Sequence, residues 1–479
     1  MAASAQNVVS GLRWVALITY SNRVLGFVTT LVLAKVLAPE DFGLVAVASM
    51  LIEVLRILKD AGFSEALIYQ KRDDGPAIDT AHTVLVGMNV VLFLLAAGLA
   101  PLAASFYESA VLTPVIILLS SNLVWDAARA VPRALTRKAG QFHRLVLPEV
   151  IPVVASSAVS IWMAVTGFGV WSLVAKTLIH SLFGAVLMGR LLERPPRFRF
   201  DGAAARDLFH YGKFIAGTTI LLVALYNIDR FYVSRVAGIA ALGAFELAMR
   251  LVEMPVKEFS FIIGSVMFPV FARTNRDDGS LARALFRTLK YTGLVSVPMA
   301  LGIVVYGPTL IRTFYGARWE PTIVPMQVLA GYALLRSFSS IIYDAFKGMG
   351  RPDVMMRFTI FKLLAIGVFG IPALINYGLV GIATLIAATY AVTFVMELWT
   401  ITRLLRVDLL SSAGLMIRPL VASAVAIPGV YLAWQWWHGI VSSWHLAVII
   451  PLTMLLHLAS VWTLDPQVVR DLRRLAGSR

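Results

Sequence analysis

Apolar runs of about twenty residues recur along the whole chain, and each is long enough to cross a hydrocarbon core about 30 Å thick. They fall at 11–34, 43–64, 81–104, 110–130, 146–166, 168–189, 212–236, 240–271, 288–311, 321–345, 355–375, 379–402, 414–436 and 445–463. Inside lipid only helices and closed barrels satisfy the backbone, and runs this long and this apolar predict helices. The rest of the composition agrees. Of 479 residues, 59% are hydrophobic and only 14% charged, too little charge to cover a soluble domain of that size. The expected fold class is an all-α polytopic membrane protein with about fourteen transmembrane helices. The runs at 11–34 and 240–271 exceed the bilayer thickness, so tilt or protruding ends are expected there.

Most of the net charge of +15 is explained by topology. With the N-terminus in the cytoplasm, the cytoplasmic connections hold the basic residues from Lys71 and Arg72 through Arg133, Arg137, Lys138 and Arg144 to the cluster Arg190–Lys213. Later connections add Arg273–Lys290, Lys347, Arg351, Arg357, Arg403 and Arg406, and the tail adds Arg470, Arg473, Arg474 and Arg479. The opposite side carries Lys35, Arg235, Arg312 and Arg318. This positive-inside bias places both termini in the cytoplasm, makes the number of spans even, and removes nucleic acid as a partner. Met1 to Val9 contain no basic residue, so no cleaved signal peptide is expected. The longest polar stretch, Glu193–Phe209, is cytoplasmic, and Asp201–Phe209 could form a short interfacial helix.

The chain contains an internal repeat. Leu33-Ala-Lys-Val-Leu-Ala-Pro-Glu-Asp-Phe-Gly43 resembles Val233-Ser-Arg-Val-Ala-Gly-Ile-Ala-Ala-Leu-Gly243, an offset of 200 that also brings Glu53 onto Glu253. Gly167-Phe-Gly-Val-Trp171 resembles Asn376-Tyr-Gly-Leu-Val380 at an offset of 209. The expected organisation is a six-helix bundle over 1–190, a cytoplasmic linker over 191–209, a second six-helix bundle over 210–406, and two further helices with a basic tail over 407–479. Six spans return the chain to the side it started from, so the repeat is parallel, an arrangement that suits alternating access.

Charged side chains within the spans are the candidate functional residues, because each costs about 2.5–3.5 kcal/mol at mid-bilayer on translocon scales. Arg13 and Arg23 lie in the first span, and Glu53, Arg56 and Asp60 share a face of the second. The fourth holds Asp126 and Arg129, the seventh Asp229 and Arg230, and the tenth Arg336 and Asp344. In the eighth, Glu246, Arg250, Glu253 and Lys257 fall within about 40° of one line at 100° per residue. Lys176, Lys362 and Glu397 read as scattered singles. Arginine presents a planar fork that pairs with phosphate oxygens. Arg13, Arg23, Arg56, Arg129, Arg230, Arg250 and Arg336 are therefore expected to hold an anion in a central hydrated cavity. Glu53, Asp60, Asp126, Asp229, Glu246, Glu253 and Asp344 would position them or bind a coupling ion.

Enzyme signatures are absent from the sequence. There is no Walker loop, no GxSxG and no HExxH, and the seven histidines show no ligand spacing. With no cysteine, thiolate metal sites and cysteine nucleophiles are excluded. No catalytic residue, metal or cofactor is expected. Trp434, Trp436, Trp437 and Trp444 bracket the last turn, as an interfacial aromatic belt does.

Several segments resemble a known family. They are Leu37-Ala-Pro-Glu-Asp-Phe-Gly43, Asp60-Ala-Gly-Phe-Ser-Glu-Ala-Leu67, Gly167-Phe-Gly-Val-Trp-Ser-Leu-Val174, Asn227-Ile-Asp-Arg230 with Leu242-Gly-Ala-Phe245 and Pro255, and Phe314-Tyr-Gly-Ala-Arg-Trp319. In order and spacing the chain resembles the Wzx-type flippases, the polysaccharide transporter branch of the multidrug/oligosaccharidyl-lipid/polysaccharide exporter superfamily. Gly243-Ala-Phe245 stands where that family more often has Gly-x-Tyr, a conservative departure. The resemblance implies a V-shaped pair of bundles in a bacterial inner membrane. It further implies movement of undecaprenyl-diphosphate-linked oligosaccharide to the periplasmic leaflet for surface polysaccharides such as lipopolysaccharide or exopolysaccharide. A polysaccharide polymerase and glycosyltransferases would be its partners. Two other readings remain at this level: a multidrug cation exporter of the same fold, and a membrane polysaccharide polymerase or ligase. The arginines argue against the first, and the lack of a large extracytoplasmic loop against the second.

Overall fold

The computed structural model describes residues 2–56, 75–139, 141–191, 197–202, 223–273, 279–407, 427–436 and 443–464, and among them there is helix and no strand. The helices are α1 (Ala2–Val36), α2 (Pro39–Arg56), α3 (Gly75–Phe106), α4 (Leu112–Ser120), α5 (Asn122–Lys138), α6 (Val146–Val165) and α7 (Val170–Gly189). They continue as α8 (223–232), α9 (Ile239–Arg273), α10 (Ser280–Leu310), α11 (Ile323–Gly348), α12 (Pro352–Leu405), α13 (427–436) and α14 (Ser443–Leu464). Among the described residues, seven helices are long and apolar enough to cross a membrane. The chain is a multi-pass membrane protein. The expected runs at 43–64, 212–236 and 414–436 lie partly outside the described residues, as does the interfacial helix expected at Asp201–Phe209 beyond Gly202.

Two elements differ in detail from the sequence expectation. The run expected at 110–130 is α4 and α5 together, a span reaching Arg137, in which Ser121 keeps helical backbone. The runs at 355–375 and 379–402 are the two limbs of α12, folded at Gly378 with φ 58° and ψ −148°. That backbone is open only to glycine at little cost. Gly169, which opens α7, has φ 53° and ψ −131°. These are the two glycines that the 209-residue offset pairs, so the repeat carries backbone conformation as well as residue type. The 200-residue offset has a counterpart in packing. A Cβ on Gly43 would fall on the Ile239 carbonyl oxygen, and one on Gly243 on the Pro39 carbonyl oxygen. Segments 39–43 and 239–243 thus meet backbone to backbone, each through the glycine that the other one matches.

The chain divides into two compact units, Met1–Gly243 and Ala244–Arg479. In the first, α6 and α7 pair, α1 lies along α6, and α3 packs on α4 and α5. Ala81, Leu85, Ala127 and Val131 form a small core between α3 and α5. Residues 197–201 cross the start of α3, where the Arg197 amide donates to Asp79 Oδ1 at 2.9 Å and the Asp201 amide to Thr80 Oγ1 at 3.0 Å.

In the second unit α10, α11 and α12 share a core that includes Leu285, Leu289, Phe338, Ile341, Phe358 and Ile401. Helix α14 is tied to α10 by buried polar contacts, Tyr306 Oη with Thr453 Oγ1 at 2.6 Å and His457 Nε2 with the Leu294 carbonyl at 3.0 Å. In both units large apolar side chains such as Leu94, Leu102, Leu364 and Val368 are exposed while some charged ones, among them Glu149, Asp229, Lys362 and Glu397, are buried. That inversion of the soluble pattern is what a lipid surround permits.

Candidate functional site

Most charges inside the spans have partners, some on other helices and some a turn away on the same one. In the first unit Arg56 of α2 reaches Asp126 of α5, Nη2 to Oδ2 at 3.2 Å, and Arg129 Nη2 meets the other oxygen of the same carboxylate at 2.9 Å. Two guanidinium groups share one carboxylate. Arg129 also lies against Gly184 of α7, where a Cβ would approach its Nη1 to 2.9 Å. One turn further along α5, Arg133 donates through Nε to Glu149 Oε1 of α6 at 2.6 Å. Glu149 is buried, and sequence reasoning passed over it because it sits singly in the first turn of an apolar run. Asp126→Asn is expected to destabilise the protein by about 1.5–3 kcal/mol, the range for losing a charged hydrogen-bond partner. A lowered thermal midpoint in detergent, restored in part by Asp126→Glu, would show it.

A second pair lies nearer the start of α2. Glu53 Oε2 is 3.8 Å from Arg230 Nη1 of α8. The same Nη1 donates to the Tyr226 carbonyl at 3.0 Å, and the Arg230 amide donates to Asp229 Oδ1 at 2.9 Å. Glu53 and Arg56 share a face in sequence but serve different partners. Arg23 in α1 is half-buried. The Arg13 side chain and all of Asp60 lie outside the described residues.

The second unit holds a longer network. Arg336 of α11 pairs with Glu253 of α9 and donates to Tyr332 Oη at 2.6 Å, and that hydroxyl in turn donates to Glu253 Oε1 at 2.6 Å. The Tyr332 ring meets the Tyr390 ring edge to face, centroids 4.6 Å apart. Lys362 Nζ stands 4.3 Å above Tyr390 and 3.0 Å from Glu397 Oε1. Tyr343 Oη accepts from Lys362 at 3.0 Å and donates to Glu397 at 2.9 Å. Lys362 and Glu397, read from the sequence as unrelated singles, are an ion pair only 2% and 0% exposed. Elsewhere in the unit Arg250 lies 3.7 Å from Glu246, and Asp344 lies 3.3 Å from Lys347 near the end of α11. Glu246 is buried, but the Arg250 side chain is 45% exposed.

The candidate arginines therefore divide. Arg129 and Arg336 are mostly buried and held tightly, Arg56 is paired but more open, and Arg230 and Arg250 face their carboxylates across longer gaps. A long ion pair with an exposed partner can open to admit a phosphate oxygen, whereas a short buried one resists exchange because opening strands a charge. Among the described residues, no group of three or more His, Asp or Glu side chains could hold a metal ion.

The family described as polysaccharide biosynthesis protein matches residues 32–325. The lipopolysaccharide biosynthesis protein WzxC of Escherichia coli (strain K12) is 26% identical over 366 residues, 74% of this chain and 73% of that protein. The succinoglycan biosynthesis transport protein ExoT of Rhizobium meliloti (strain 1021) is 24% identical, covering 88% of this chain and 85% of its own length. Among solved structures, the lipid II flippase MurJ in an inward closed conformation superposes with a TM-score of 0.76 at 13% identity, over 95% of this chain and 99% of that one. An inward-facing MATE family multidrug transporter gives a TM-score of 0.63 at 15% identity, over 80% of this chain and 95% of that one.

Proposed function

Because the chain belongs to the polysaccharide biosynthesis protein family, we propose that it is a flippase for lipid-linked oligosaccharide. It is a transporter and not an enzyme. The cargo is an undecaprenyl-diphosphate-linked oligosaccharide, moved from the cytoplasmic to the periplasmic leaflet of a bacterial inner membrane for surface polysaccharide synthesis. Two six-helix bundles, 1–190 and 210–406, alternate access, and both termini lie in the cytoplasm with fourteen spans between them. A polymerase would consume the product, and glycosyltransferases would supply the substrate.

The observation that carries this reading is the supply of arginines within spans whose ion pairs are long enough to exchange, Arg230 with Glu53 and Arg250 with Glu246. A diphosphate needs guanidinium compensation to enter a low-dielectric region, and an exchangeable pair provides it without leaving a bare cation when empty. The names of the relatives, a lipopolysaccharide and a succinoglycan biosynthesis protein, agree with that cargo. A cation exporter of the same fold is the second reading. It rests on the likeness to a multidrug transporter, and the arginines within the spans, which would repel a cation, disfavour it.

The test is a deletion strain. Lipid-linked repeat units should accumulate in the cytoplasmic leaflet, inaccessible to a periplasmic glycan-binding probe, and surface polysaccharide should be lost. Units that reach the periplasm and stay unpolymerised would overturn the proposal.

A further inference from the structure

A cavity of about 700 Å³ lies within the first unit, between α2, α3 and α8. Leu51 and Val54, Leu102 and Phe106, and Ile228 and Phe231 line it, two from each helix. Its two polar lining residues turn their polar groups into the protein. Asn227 Nδ2 donates to the Val223 carbonyl at 2.8 Å, and Tyr107 Oη bonds Ser234 Oγ at 3.0 Å. An occupant therefore meets hydrocarbon and aromatic rings, with Leu102, Phe106 and Phe231 exposed. A sugar or a drug cation finds nothing to bind there.

The end of the cavity next to the α3 terminus is different. Phe106 stacks on Phe231 with centroids 6.4 Å apart, and the Arg235 guanidinium sits 4.7 Å above the Phe106 ring. Arg235 lies just past α8, on the side that the positive-inside bias makes extracytoplasmic. Among the described residues no carboxylate forms an ion pair with it, and its side chain is exposed. An apolar slot ending in an exposed guanidinium complements a molecule with a phosphate head and a branched hydrocarbon tail. The lining stretch of α3, residues 99 to 106, spans about 10 Å at 1.5 Å per residue, enough for the few isoprene units next to the head.

We propose that this cavity binds the head-proximal isoprene units of the translocated lipid on the extracytoplasmic side, with Arg235 at its diphosphate. The proposal rests on the flippase reading. It adds a tail site in the first unit, on helices whose ion pairs are the more open ones of Arg56 and Arg230.

The experiment uses the full-length protein in phospholipid vesicles with a polyprenyl diphosphate bearing a diazirine in its first isoprene units. After photolysis, adducts should map to residues 47–54, 99–107 and 223–231. Excess undecaprenyl diphosphate should compete, and excess phospholipid should not. Filling the cavity with Leu102→Trp and Ala103→Phe should reduce labelling about tenfold or more, since excluding two buried methylenes is already worth that factor. Arg235→Gln should weaken labelling by a smaller factor. Adducts confined to other segments, or equal competition by phospholipid, would overturn the proposal even if the filled variant failed to fold, because the mapping is made on the unaltered protein. Translocation is followed in the same vesicles. Transport without adducts in these segments sinks the tail site and leaves the flippase standing. Competed adducts without transport do the reverse.

Discussion

Lys362→Met should be among the most damaging single changes to this protein, lowering stability by about 3–5 kcal/mol, the range for stranding one member of a buried ion pair. The pair it breaks joins the two limbs of α12, with Lys362 before the Gly378 fold and Glu397 after it. Neither side chain reaches solvent or lipid, and both share Tyr343. With Lys362 gone, Glu397 keeps the Tyr343 donor but loses its counter-charge. It must then be protonated or remain as a bare carboxylate in a low-dielectric core. Methionine nearly conserves the volume, so the loss is electrostatic and not a cavity effect. The companion double variant, Lys362→Met with Glu397→Gln, removes both charges and should recover most of the stability, because the desolvation of each ion disappears with the ion. The measurement is the thermal midpoint of the purified protein in detergent for the single variants and the pair. Equal damage from single and double variants would show that the pair does not act as an electrostatic unit. Recovered folding with lost transport would show that the pair also serves the transport cycle.

That pair also shows what a sequence can and cannot disclose. The spans were legible because lipid imposes a length and a composition that no other environment demands. The fold at Gly378 was legible as a boundary between runs, although the structure keeps helix on both sides of it. The pairing of Lys362 with Glu397 was not read, yet a signal existed. In an antiparallel hairpin, residues at similar distances from the turn face each other. These two stand sixteen before and nineteen after Gly378. Arg133 and Glu149 offered a similar signal, eight residues before and eight after Gln141 in the connection between α5 and α6, and it too was not read.

The repeat was readable as residue matches. Its physical content, the shared positive-φ glycine at 169 and 378 and the reciprocal contact of 39–43 with 239–243, is a property of backbone that side-chain identity only hints at. Charge inside a span marks a residue as costly, but it does not tell a structural pair from a binding group. That distinction depends on distance and exposure, which only coordinates carry.

Arg250 is where the distinction is tested most sharply. It stands 3.7 Å from Glu246 with its side chain 45% exposed, while Arg336 is 18% exposed and bonded to both Glu253 and Tyr332. If exchangeable guanidinium groups hold the diphosphate, Arg250→Ala removes a charge-assisted contact to the cargo worth about 1.5–3 kcal/mol. Export should fall roughly tenfold to a hundredfold, since each 1.4 kcal/mol is a factor of ten. The protein should still reach the membrane with a nearly unchanged thermal midpoint, because a 3.7 Å pair whose cation is exposed contributes little to stability. Charge reversal, Arg250→Glu or Arg23→Glu, should abolish export. Lysine at 250 should restore only part of it, because an ammonium lacks the bidentate fork. Arg336→Ala should behave oppositely. It leaves Glu253 in place without its closest cation, so the amount of folded protein should drop before any transport defect can be measured per molecule. The discriminating measurement is export normalised to folded protein in the membrane. Normal export per molecule in Arg250→Glu would remove Arg250 from the binding site. A low midpoint for Arg250→Ala with normal export per molecule would make it a structural residue, like Arg336.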